Sequence, residues 1–264
     1  MKSKKETFAE VMHSFNYRYD LRSVFDDFLT IAICAFSQDL PTGKSHDEDL
    51  YMATIAKYKK EEVRETFPKL LALLILEMEE RLSSGLGNDV LGDFYEQNLY
   101  SKRSSQYFTP WYVCMFMASC VAGGAKEETE RPLRILDPCC GSGRMLLAGA
   151  RCRGTEHEYY GIDVDHTCVK MTAINLFLSG IFHCEVMCAD ALAPDDFRVS
   201  YSISYLPFGI FRITDKERSR LWHLHKNSFP MKQEKQKVNV EDMVLPSQEK
   251  ENELSSGASQ LQLF

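Results

Sequence analysis

The sequence predicts an α/β fold: a doubly wound, mostly parallel sheet behind a helical N-terminal subdomain. Three observations carry this. From about residue 131 the short apolar or β-branched runs "LRIL", "EYYGI", "CEVMC" and "SYSISYL" alternate with helix-like segments such as "DHTCVKMTAINLFLSG". Strands and helices alternating at that spacing imply a parallel sheet with crossover helices. Before them, residues 5 to 82 carry apolar side chains at helical spacing. The first strand also runs into "DPCCGSGRML", where glycines open a helix.

Composition bounds the function. At 264 residues, 44% of them hydrophobic, the chain can hold one medium domain with an accessory, or two small ones. A net charge of -7 argues against a basic nucleic-acid grip spread over the whole surface, and leaves room for a local patch. The nine cysteines are odd in number and lie within strand- and helix-like runs, which is no disulfide framework. With no signal peptide, a reducing cytoplasm is expected. The longest apolar run, "LLALLILEM", is about half of what a membrane span requires, so a soluble chain without a membrane partner is expected.

The elements follow in order. In "LRSVFDDFLTIAICAF" the residues Leu21, Val24, Phe25, Phe28 and Leu29 recur at helical spacing. A polar break follows, with Asp47 or Ser45 as N-cap of the next helix. A longer helix from about Pro68 carries Leu70, Leu71, Leu74, Ile75 and Met78 and stops at "SSGLGN". A short helix starts at Asp89 and runs through "VLGDFYEQNL". Beyond the four strands, "TDKERSRLWHLHKNSF" reads as one helix, with His223 and His225 on a solvated face. Cys184 and Cys188 read as buried strand thiols. From about Pro230 the composition turns polar, as in a disordered tail.

The glycine turn lets backbone approach a ligand closely, and the helix that follows offers free N–H groups. It is no phosphate loop, since Lys followed by Ser or Thr is missing; Leu146 also stands where a dinucleotide fingerprint has its third glycine. What it has is acids. Asp137 ends the first strand, placed to hold an ammonium; Asp163 ends the second, where ribose hydroxyls are gripped; Asp190 follows the third. Three acids past three successive strands point to an adenosine-containing cation.

On these residues the sequence resembles the adenine-specific DNA methyltransferases, in particular the modification subunit of type I restriction-modification systems. The resemblance covers roughly residues 85 to 211. "DVLGDFYEQNL" is similar to the helix before that family's cofactor site, "SSQYFTPWYV" to its cofactor-facing motif, "LDPCCGSGRML" to its cofactor loop, "GIDVD" to its ribose acid and "CADAL" to its adenine-ring segment. It implies a Rossmann-like methyltransferase core binding S-adenosylmethionine through Phe108, Thr109, Pro110, Asp137, Cys139, Gly141, Gly143, Asp163 and Asp190. The side chains of Cys139 and Cys140 are expected to pack. No metal site is expected.

Two departures stand against that pattern. The family's catalytic tetrapeptide, Asn or Asp, Pro, Pro, Tyr or Phe, follows its fourth strand. Its first residue accepts a hydrogen from the adenine amine, and its aromatic stacks on the flipped base. Here the matching stretch is "YLPF": Pro207 and Phe208 agree, whereas Tyr205 replaces the acceptor and Leu206 the first proline. Beyond Phe211 the sequence has no room for three further strands before the tail, so the sheet is expected to be truncated, or completed by another chain. The resemblance implies methyl transfer to the 6-amino group of adenine in DNA. The departures imply instead an inactive, DNA-associated accessory module of a mobile element.

The domains expected are a helical subdomain over 1–98, a methyltransferase-like core over 99–229 and the tail over 230–264. DNA is the expected partner, with a specificity or completing subunit. The last residues, Gln260, Leu261, Leu263 and Phe264, also resemble the short peptide by which bacterial DNA-handling proteins hold a replication sliding clamp.

Overall fold

The computed structural model describes residues 5–37, 46–99, 107–122, 131–193, 195–228 and 262–263. Helix α1 (Phe8–His13) starts on a reciprocal capping box between Thr7 and Glu10. Helix α2 (Leu21–Phe36) starts on Asp20, whose side chain accepts the Ser23 N–H. Helix α3 spans Glu48–Ile55; Asp47 sits at its N-cap without a side-chain bond, and Ser45 lies outside the described residues. A π-helical turn (Glu62–Thr66) leads into α4 (Phe67–Ser83), which buries Leu70, Leu74 and Met78 on one face. Helix α5 (Val90–Asn98) starts on Asp89, and α6 covers Trp111–Ala122.

The α/β part alternates as expected: β1 (Arg134–Asp137), α7 (Arg144–Arg153), β2 (Glu158–Asp163), α8 (His166–Leu178), β3 (Cys184–Cys188). These three strands pair in parallel, β2 between β1 and β3. Alternation along each strand separates two faces. Ile135, Tyr159 and Val186 join Leu146 of α7 and Ile174 of α8 in a core that continues into α1, α2, α4 and α5. Leu136, Tyr160, Ile162 and Met187 pack on the opposite face against Leu221 and Trp222 of α9 (Arg220–Ser228). Both faces are covered, as in a doubly wound sheet.

The fourth strand departs from the expected path. Strand β4 (Val199–Tyr205) pairs antiparallel with β3, and β5 (Phe208–Ile213) antiparallel with β4. Only residues 189–198 join β3 to β4, and they hold no helix among those described. A parallel return needs a crossover of a dozen or more residues, so this connection forces the chain back antiparallel. On the other edge, β6 (Gln262–Leu263) pairs in parallel with Ile135 and Leu136, giving the order β5-β4-β3-β2-β1-β6. The rest of the expected disordered tail lies outside the described residues.

Helix α9 corrects another expectation. His223 is exposed, but His225 is buried. Its spacing from Leu221 and Trp222 places it on the same inward face. Cys184 and Cys188 are buried in β3. No described helix is long and apolar enough to cross a membrane.

Candidate cofactor site at the strand ends

Asp137 and Asp163 are the last residues of β1 and β2, which brings two of the three acids to the carboxyl ends of the parallel strands, with Asp163 two residues past the partner of Asp137. The loop between β1 and α7 is held there by its own backbone. The Cys140 N–H donates to the Ile162 carbonyl at 2.9 Å, the Gly141 N–H to Asp163 Oδ2 at 2.9 Å and the Cys139 N–H to Asp137 Oδ1 at 3.0 Å. Asp163 Oδ1 accepts the Asp165 N–H at 2.8 Å. Two backbone bonds leave acceptor capacity on this half-buried carboxylate, which has about four lone-pair sites.

Glycine is required at two places. Gly141 has φ +54°, and a Cβ there would stand 3.0 Å from the Phe108 ring. Gly143, the N-cap of α7, has φ +89°, and a Cβ there would meet Thr172 Cγ2 at 2.9 Å. A side chain at either position is strained by its backbone as well as by its neighbour. Thr172 in turn donates to the Gly141 carbonyl at 2.8 Å.

Phe108 forms the other wall. Its ring stacks on Tyr95 with centroids 5.7 Å apart, lies 5.4 Å from the Arg144 guanidinium, and its N–H donates to Glu96 at 3.1 Å. The Thr109 carbonyl accepts from Arg144, and Pro110 is exposed before α6. Asp190 stands two residues past β3, where its carboxylate accepts the Leu192 N–H at 2.9 Å and its N–H donates to Asp196. Cys140 is buried as expected for a packing residue; Cys139 is exposed, because the turn points it away from the sheet that Cys140 faces.

Burial pushes the carboxyls of Asp137 and Asp163 above the ordinary range; at Asp137 the neighbouring Asp163 charge adds to it. A cation placed between them would favour the ionised forms of both.

The sequence reading missed the hub behind this loop. Asp89 is 3% exposed, and its carboxylate accepts four hydrogen bonds. Ser142 Oγ and Arg144 Nε donate to Oδ2, each at 2.6 Å; the Gly92 N–H at 2.7 Å and Asn175 Nδ2 at 2.8 Å donate to Oδ1. Arg144 also reaches Asp93 at 2.8 Å and Glu96 at 2.9 Å. Burial opposes the guanidinium charge, but these carboxylates outweigh it and hold the Arg144 pKa up. Gly92 permits the approach, since a Cβ there would lie 2.5 Å from Ser142 Oγ. The legible signal was a glycine three residues after the N-cap Asp89, inside a helix where alanine is otherwise preferred. A cavity of about 330 Å³ opens beside this hub, lined by Arg81, Leu86, Asp93, Trp111 and Tyr112; none of the strand-end acids lines it.

The tetrapeptide is not brought to this site. Ile203 pairs with Cys184, the first residue of β3, so the turn carrying Tyr205, Leu206, Pro207 and Phe208 lies at the amino end of the parallel strands. There Tyr205 packs on Phe182 with centroids 5.6 Å apart, and Phe208 on Phe177 at 5.0 Å. The length of β3, at about 3.3 Å per residue, sets this turn roughly 15 Å or more from the strand-end acids. The antiparallel return of β4 is the cause.

Comparison with known proteins bears on the same span. The model of the N-6 DNA methylase family matches residues 86–249. The type I restriction enzyme MpnII methylase subunit of Mycoplasma pneumoniae is 24% identical over 200 residues, which cover 69% of this chain and 35% of that protein. The chain thus spans about a third of that relative's length. A type I restriction-modification system methyltransferase subunit from Streptococcus thermophilus aligns with 71% of this chain and 57% of its own, at 19% identity and a TM-score of 0.36. S-adenosylmethionine is the methyl donor of such N-6 DNA methylases. The family match extends from the helix that carries the Asp89 hub, through the glycine loop and all three acids, and past the last described helix, so this chain belongs to the N-6 DNA methylase family.

Proposed function

We propose that this chain is the cofactor-binding part of an adenine-specific DNA methyltransferase. In this reading it holds S-adenosylmethionine at the carboxyl ends of β1 to β3, in the cytoplasm, for transfer to the 6-amino group of adenine. The observation that carries the reading is the Asp137–Gly143 loop, with two left-handed glycines closed over by Phe108 and flanked by the buried Asp137 carboxyl and the half-buried Asp163 carboxyl. Backbone there comes close enough for a ligand, and the acids suit its ammonium and its ribose. Phe108, Thr109, Pro110, Asp137, Cys139, Gly141, Gly143, Asp163 and Asp190 would hold the group, which supplies an electrophilic sulfonium methyl. Titration calorimetry with S-adenosylmethionine tests this. Asp163→Ala is expected to weaken binding by about 1–3 kcal/mol, the range for a lost buried hydrogen-bond partner. Absence of binding at millimolar cofactor would sink the reading.

A second reading is favoured by the position of Tyr205, Pro207 and Phe208: without a partner, the chain binds cofactor but does not methylate. A completing or specificity subunit would then supply what is absent here. Two features support such a partner. Helix α6 carries no charged residue, yet Tyr112, Val113, Phe116, Met117 and Val121 on it are exposed. The outer edge of β1 is paired over two residues.

The clamp peptide belongs to the same proposal. Gln260 suits the rim of a groove, and Leu261, Leu263 and Phe264 would supply apolar anchors once Gln262 and Leu263 leave the edge of β1. A long polar stretch before them would act as a tether near newly copied DNA. Deleting Leu263 and Phe264 is expected to abolish association with a sliding clamp and to leave cofactor affinity unchanged. If the intact chain does not associate at tens of micromolar, the peptide has no such role.

A further inference from the structure

We infer that Asp89 is a positioning residue for the cofactor loop, fixing Ser142 and, through it, the Gly141–Gly143 backbone against Asp163 and Phe108. The inference rests on the cofactor reading above and goes beyond it, because Asp89 lies on α5, outside every segment that would touch the ligand.

The geometry points one way. Asp89 binds three parts of the molecule at once. On its own helix it caps the Gly92 N–H; on the loop it holds Ser142 Oγ and Arg144 Nε; on α8 it holds Asn175 Nδ2. The same Asn175 amide donates to the Ser142 carbonyl at 2.9 Å, so Ser142 is gripped through both its side chain and its backbone. Ser142 is 1% exposed, and its hydroxyl is committed to Asp89. Its two glycine neighbours impose no conformation of their own, since glycine accepts many backbone angles. The anchor between them selects the observed angles together with the bonds of Gly141 to Asp163 and Thr172.

Charge is essential to that anchor. Arg144 is 7% exposed and starts α7 directly after Gly143. Its guanidinium pairs with Asp89, and it also faces Asp93, Glu96 and the Phe108 ring. One ion pair therefore ties both walls of the cleft, the loop and Phe108, to α5. An amide at Asp89 keeps the shape but turns an NH2 group toward Ser142 or Arg144, or toward Asn175 and the Gly92 N–H. The Ser142 hydroxyl can rotate to accept, but Arg144 Nε, Asn175 Nδ2 and the Gly92 N–H only donate, so either orientation places donor against donor at one partner or more.

The test uses the whole chain and S-adenosylmethionine itself, with affinity measured by calorimetry at a temperature where each variant is folded by circular dichroism. Asp89→Asn is expected to weaken affinity at least tenfold, and Ser142→Ala to weaken it severalfold. The double variant should be no weaker than Asp89→Asn alone, because both act through one bond. Asp26→Asn, which loosens the ion pair of the buried Lys170 between α2 and α8, is the stability control: it should lower the melting temperature and leave affinity within twofold. If Asp89→Asn binds within threefold of the unchanged chain, or the two losses multiply in full, the inference is overturned. Should Asp89→Asn fail to fold, Ser142→Ala decides alone, and unchanged affinity there is equally fatal. If the unchanged chain does not bind, the cofactor reading fails and the inference falls with it, a result distinct from selective loss in the variants.

Discussion

The chain by itself is expected to leave adenine in duplex DNA unmethylated, and the joint exchange Tyr205→Asn and Leu206→Pro is expected not to restore transfer. Restoring the tetrapeptide would be the natural remedy if the side chains alone were at fault. The obstacle is position. The β4–β5 turn lies at the amino end of the parallel strands, whereas the glycine loop and the acids lie at the carboxyl end. Near-attack geometry requires reacting atoms within about 3–3.5 Å, and losing it can remove roughly 7–11 kcal/mol of catalysis. No exchange within the turn closes a gap set by the length of a strand. Incubation with methyl-labelled cofactor and mixed-sequence DNA checks this: label in the DNA above the protein-free background, from either protein, refutes it.

Asp26→Ala is expected to destabilise the fold by about 3 kcal/mol, and Lys170→Met to cost less. Lys170 is 2% exposed on α8, and its ammonium contacts Asp26 at 2.6 Å, the Asp26 carbonyl at 3.1 Å and Thr30 Oγ1 at 3.1 Å. Removing the carboxylate strands a buried cation. Removing the cation leaves Asp26, whose side chain is 40% exposed and keeps the Thr167 hydroxyl as a donor. The two single changes therefore differ in cost although they break the same pair. Burial opposes ionisation of Asp26, but the Lys170 charge and its hydrogen bonds outweigh that and hold its pKa below the ordinary 3.8. Its contribution is accordingly full above that value and fades as pH falls through the lowered one. Urea unfolding near neutral pH measures both variants. The exposed pair Lys5–Glu80 is the contrast, since Lys5→Ala should leave the midpoint unmoved. Equal losses for Asp26→Ala and Lys170→Met would overturn the account.

Local pattern determined much of this protein. The helical spacing in "LRSVFDDFLTIAICAF" became α2, and Asp89 heads α5 as its N-cap. The runs "LRIL", "EYYGI" and "CEVMC" became β1 to β3, and the acids that end the first two strands stand at the same end of the sheet. Such features depend on residues within a turn or a strand of one another, so the chain carries them in its spacing. The direction of β4 was also written in the sequence, in the shortness of the 189–198 connection, although its composition alone reads as one more parallel strand. Three-dimensional packing decided the rest. Asp89 meets Ser142 and Asn175 across sequence separations of 53 and 86, and no local rule announces a contact at such distances. His225 turned inward because the face it shares with Leu221 and Trp222 covers the sheet. Tyr205 and Phe208 sit far from the glycine loop because strand direction, which is fixed by pairing, carries every side chain of a strand to one end or the other.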